Sequence, residues 1–95
     1  MDNTIITKRH MRAAIVIVHR ALDQEHWRDA PDQIAIPALR QTRHDGCAIL
    51  ADMREALYWQ NTAAWMQAWT RWKHRNPRVA WDTLMFQVAQ VMEEL

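Results

Sequence analysis

Trp59-Gln60-Asn61-Thr62-Ala63-Ala64-Trp65-Met66-Gln67-Ala68-Trp69-Thr70-Arg71-Trp72 is the stretch on which the fold turns. At about 100° per residue, Trp65, Trp69 and Trp72 fall within about 60° of one another, so three large rings share one helical face. That face is out of line with the apolar stripe before it, which predicts a new helix beyond Asn61 with Asn61 as its N-cap. Five of the six tryptophans lie between residues 59 and 81, in a chain with one glycine and three prolines. So few turn formers leave little material for hairpins, and the expectation is all-α.

Ninety-five residues, 49% of them apolar and 24% charged, describe one compact domain over residues 1–95, too hydrophobic for a disordered chain. Twelve basic against eleven acidic residues give a formal net charge of +1, which sets no overall bias toward nucleic acid or membrane. Cys47 is the only cysteine, so no intrachain disulfide can form and a reducing cytoplasm is the expected compartment. Lys8, Arg9 and Arg12 before the apolar run Ala13 to Val18 imitate a signal peptide. The run is too short for a signal core of roughly 7–15 residues, and no stretch approaches the ~20 residues of a membrane span.

Working outward from the tryptophans, a first helix is expected from about Thr4 to Arg28, with Asp2, Asn3 and Thr4 as cap oxygens. Met11, Ala14, Ile15, Val18, Ala21 and Leu22 repeat along one face. Val16, Ile17 and Trp27 fall off it, which predicts a central helix. The β-branched run Ile15 to Val18 would also suit a strand, but no second strand exists to pair with it. Asp29-Ala30-Pro31-Asp32 breaks the chain. Pro37 then opens either one long helix or two, the second capped by Asp45. Leu50, Met53 and Leu57 form the stripe there, flanked by Cys47, Ile49 and Ala56, and Trp59 projects from the opposite side among Asp52 and Glu55. After Asn76-Pro77, a last helix from Pro77 to Glu94 carries the stripe Trp81, Leu84, Met85, Val88, Val91, Met92 and Leu95. The expected architecture is a small single-domain bundle of four to five helices with short connections. Lys8, Arg9 and Arg12 at one helix start and Glu93 and Glu94 at another helix end each oppose their helix dipole. They are expected to offset each other if those ends are adjacent.

Chemistry-bearing clusters are few. His44-Asp45-Gly46-Cys47 holds a thiol, an imidazole and a carboxylate. The simpler reading makes Asp45 a helix cap and Cys47 a buried filler, so no catalytic residue is assigned. Five histidines and one cysteine lack the paired spacing of a zinc site, and one glycine cannot build a phosphate loop, so no metal or cofactor is assigned. Arg71-Trp72-Lys73-His74-Arg75-Asn76-Pro77-Arg78 joins four formal positive charges to a ring at a helix end. Such a segment either stabilises that end or grips phosphates, with Lys8, Arg9 and Arg12 assisting.

Aromatics off the main stripes carry the most information. Trp59 lies on a polar face, Val79 and Phe86 make a second apolar line on the last helix, and Trp27 behaves alike on the first. They are either covered by a third helix or left as interface anchors, and both readings stay open at this point. Ten of the twelve basic residues are arginine, which suits pairing with an acidic partner. In size, helicity and lack of catalytic motifs the chain resembles the short accessory proteins of temperate phages and other mobile elements, such as antirepressors, anti-nuclease proteins and anti-CRISPR proteins. The resemblance implies a non-enzymatic module that binds a larger protein in the host cytoplasm and modulates it, and it assigns no residue a role. From the residues themselves, Trp59, Trp72, Arg75, Arg78 and Phe86 are the candidate contacts. The alternative is a nucleic-acid-binding regulator using Arg71, Lys73, Arg75, Arg78, Lys8, Arg9 and Arg12. A homodimer through the second apolar faces is a third reading.

Overall fold

Helix α1, Lys8–Gln24, starts where Thr7 and His10 satisfy each other's backbone. The His10 amide donates to Thr7 Oγ1 at 3.3 Å and the Thr7 amide donates back to His10 Nδ1 at 3.1 Å, a capping box with imidazole in the place of Glu. This reciprocal pair makes Thr7 the N-cap, three residues beyond Thr4. The computed structural model describes residues 6–24 and 37–95. The expected caps Asp2, Asn3 and Thr4, the Pro31 break and Trp27 lie outside the described residues.

Helix α2, Pro37–Tyr58, is one helix running straight through Gly46. Asp45 is therefore not a cap; its carboxylate accepts from Gln41 Nε2 at 2.8 Å, one turn back. Cys47 is exposed where burial was expected, and Gly46 takes the inward position. A Cβ on Gly46 would sit 2.6 Å from Leu22 Cδ2 and 3.2 Å from Arg75 Cζ, so the missing side chain is what lets those two groups approach α2.

The turn into helix α3, Thr62–Arg75, wastes no residue. Asn61 N–H donates to Ala56 O at 2.8 Å and Gln60 N–H to Leu57 O at 3.1 Å, the bond pair of a Schellman motif. Gln60 occupies the left-handed position, φ 54°, that the motif imposes. Asn61 then caps α3 as expected, its side chain accepting from the Ala64 amide at 3.0 Å. At the other end Asn76 closes α3, its amide donating to Lys73 O and its Nδ2 to Trp72 O. Val79 N–H bonds Asn76 O, so Pro77 is the second residue of a β-turn and helix α4, Trp81–Glu94, begins four residues later than Pro77.

Four helices make up 85% of the described residues, and no strand occurs among them. Helix α1 packs on α2 and on α4 and touches α3, the central position its wide apolar face predicts, while α2 packs on α3. Trp65, Trp69 and Trp72 are at most 3% exposed and meet Met11, Val18, Met53 and Val88 in a core that holds no polar residue among those described. The stripe of α4 is split. Leu84, Val88 and Val91 are buried, whereas Trp81, Met85 and Leu95 are exposed, because α4 lies against α1 and forms no comparable contact with α3. Arg9 donates to Met92 O at 2.8 Å, quenching a carbonyl at the end of α4, and Glu94 pairs with Arg20 at 3.1 Å. Arg9 thus reaches the backbone at the end of α4 as an offset to the helix dipole, but no ion pair between the two charge clusters is seen among the described residues, and Glu94 takes its partner from outside the Lys8, Arg9 and Arg12 cluster.

Candidate functional site

Two surfaces hold the exposed rings other than Phe86 among the described residues. At the first, the Schellman turn ends α2 so abruptly that Tyr58 and Trp59 project into solvent, 76% and 69% exposed, their rings in edge contact at 5.0 Å. Trp59 forms one wall of a hollow of about 320 Å³ between α2 and α3, with Asp52, Glu55, Gln67 and Arg71. Arg71 closes that hollow by an ion pair to Asp52, half exposed and worth at most about 1 kcal/mol in water.

The second surface is the seam between α3 and α4. Ile6, His10, Trp65, Met66, Trp69, Trp81, Met85 and Val88 enclose an apolar groove of about 410 Å³. Trp65 and Trp69 stack at 5.9 Å, and Trp69 meets Trp81 at 6.4 Å with tilted rings. Both inner indoles are buried, yet neither Trp65 Nε1 nor Trp69 Nε1 has an acceptor among the described residues. A buried donor without an acceptor costs about 1–3 kcal/mol, so such groups are rare in folded proteins. Lys73 stands near Trp81, its Nζ 6.0 Å from the ring centre.

The candidate contacts divide accordingly. Phe86, 64% exposed, and Trp59 are uncovered, which answers the open question about the off-stripe rings at these two positions. Val79, by contrast, precedes α4 and packs against the core. Trp72 is 3% exposed, so it offers no ring to a partner; its three-and-four spacing with Trp65 and Trp69 puts it inside. Arg75 is half-buried with its guanidinium 5.0 Å over the Trp72 ring and its Nη2 donating to Thr42 O, which ties α3 to α2. Arg78 is exposed in the β-turn.

Four of the cations named for nucleic acid are already engaged within the protein. Arg71 is paired with Asp52, Arg75 lies on Trp72, Lys73 stands over Trp81 and Arg9 holds Met92 O. Lys8 and Arg12 are exposed on α1. Periodicity alone did not find the seam, because Trp81 and Met85 read as core. The available signal was width: at about 100° per residue the α4 stripe spans about 120° from Val91 to Met85, more than the single neighbour α1 covers. No helix among the described residues is long and apolar enough to cross a membrane. Compared with known proteins, the chain matches no family model, no curated protein and no solved structure.

Proposed function

We propose that this protein is a non-enzymatic helical module that binds a larger protein and modulates it by occupying a surface, as a phage or mobile-element accessory protein acting in a host cytoplasm would. One observation carries the reading: Tyr58, Trp59, Met66, Trp81, Met85 and Phe86 stay exposed although the core beneath them is already apolar and closed. Large rings that contribute little to the fold are costly to leave in water, and they are the residue types that dominate binding energy at interfaces. Arg78 and the half-exposed Arg71 supply a polar rim of the kind that surrounds such anchors. Nucleic-acid binding is the weaker alternative, because Arg71, Arg75 and Arg9 each already hold a group of the protein itself.

The test is retention of a partner from the native host by the tagged full chain, compared with Trp59→Ala and Phe86→Ala. The expected result is one enriched protein that either substitution depletes while the urea midpoint stays in place. Unfolding by either substitution would make that ring part of the core and remove it as an anchor.

A further inference from the structure

Asp52, Glu55 and Trp59 follow one another at i, i+3 and i+7 on α2 and line the hollow between α2 and α3, where Ala64, Ala68 and Arg71 stand on the other wall. We infer that this hollow receives the guanidinium of an arginine carried by the partner protein, seated between the Glu55 carboxylate and the Trp59 ring. The inference rests on the reading of the protein as an interaction module and names the chemistry that the Trp59 surface takes.

Three observations converge. The hollow has two carboxylates, and only one of them meets a cation: Arg71 pairs with Asp52. Glu55, one turn further along the same face, has no ion pair and no side-chain hydrogen bond among the described residues. The opposite wall explains the difference, because α3 sets the small side chains of Ala64 and Ala68 there and Arg71 is the one cation among the lining residues. Second, Trp59 lies four residues beyond Glu55, about 6 Å along the helix, and is 69% exposed. Tryptophan is the side chain that attracts cations most strongly, and a planar guanidinium can lie on a ring while its N–H groups reach a carboxylate, which suits arginine better than lysine. Third, a partner that uses Trp59 as an anchor also covers Glu55. Taking an unpaired carboxylate out of water is costly unless the covering surface brings a cation, so charge complementarity selects arginine over an apolar side chain. The two alanines leave the room for it, in a hollow of about 320 Å³.

The test is an NMR titration of the isotope-labelled full chain with N-acetyl-arginine amide, read at the Trp59 indole N–H and at the Ala64 and Ala68 amides. Saturable shifts of all three signals are expected, with N-acetyl-citrulline amide, the uncharged isostere, binding at least about fivefold more weakly. Glu55→Gln is expected to weaken the arginine probe at least about fivefold and Phe86→Ala by less than about twofold, with an unchanged urea midpoint showing each variant folded. In retention of the partner from the native host, Glu55→Arg sets a cation of the chain's own beside Trp59 and is expected to deplete the partner at least about fivefold. The absence of saturable shifts, equal binding of the citrulline probe, or full binding by Glu55→Gln overturns the inference. A shift confined to Asp52 and Arg71 also overturns it, since the probe would then be displacing Arg71. If the partner is lost in Trp59→Ala but kept by Glu55→Arg, the interaction module stands and the hollow falls, whether or not the free probe binds. If the full chain retains no partner, both fall.

Discussion

Gln60→Gly should stabilise the protein, and the turn geometry fixes by how much. Gln60 is held at φ 54°, where a side chain meets its own backbone at a cost of roughly 1–2 kcal/mol. Glycine removes that cost but gives the unfolded chain more freedom, worth about 0.5–1 kcal/mol. Both Schellman bonds, Asn61 N–H to Ala56 O and Gln60 N–H to Leu57 O, use backbone alone and survive the substitution. The net gain is about 0.5–1 kcal/mol, a rise in melting temperature of about 2–8 °C for a domain of this size. Urea unfolding followed by tryptophan emission would show it as a higher midpoint at unchanged slope. Gln60→Ala keeps the strained φ and should gain nothing, while Gln60→Asn should fall between, since asparagine tolerates this region better. A Gln60→Gly variant no more stable than Gln60→Ala would show that the turn is not held left-handed in solution, and the exposure of Tyr58 and Trp59 would lose its cause.

Other substitutions test separate joints. Asn61→Ala removes the acceptor of the Ala64 amide and should cost about 1 kcal/mol by urea titration. Gly46→Leu forces a side chain into Leu22 and Arg75 and should cost about 1–3 kcal/mol, partly recovered when Leu22 is shortened to Ala in the same chain. At the start of α1, Thr7→Ala should cost about 1 kcal/mol, whereas His10→Glu preserves the reciprocal cap and should be neutral within about 0.5 kcal/mol; calorimetry resolves the two. Trp69→Ala should cost about 3–5 kcal/mol, against about 0.5 kcal/mol or less for Phe86→Ala, since one ring is 1% exposed and the other 64%.

What could be read from the residues follows a physical divide. Asn61, the Trp65, Trp69 and Trp72 face and the Asn76-Pro77 boundary were legible because capping and periodicity are local, decided within one or two turns of chain. Gly46 was ambiguous because a lone glycine at a core position looks like a break until the close approach of Leu22 and Arg75 explains it. The Thr7 cap escaped because its partner is His10, outside the Glu or Gln pattern of a capping box. Trp81 and Met85 read as core because periodicity reports that a face is apolar and says nothing of how many helices arrive to cover it. The seam is a tertiary property: α4 lies on α1, α3 lies on α2, and the stripe between them is left over.

The most direct measurement is therefore Met85→Glu, with unfolding free energy and partner retention determined on the same preparation. A charge on the rim of an open seam should change stability by no more than about 1 kcal/mol while abolishing retention of the partner. A variant that unfolds would make the seam part of the closed core, and one that retains its partner at wild-type level would move the binding surface elsewhere.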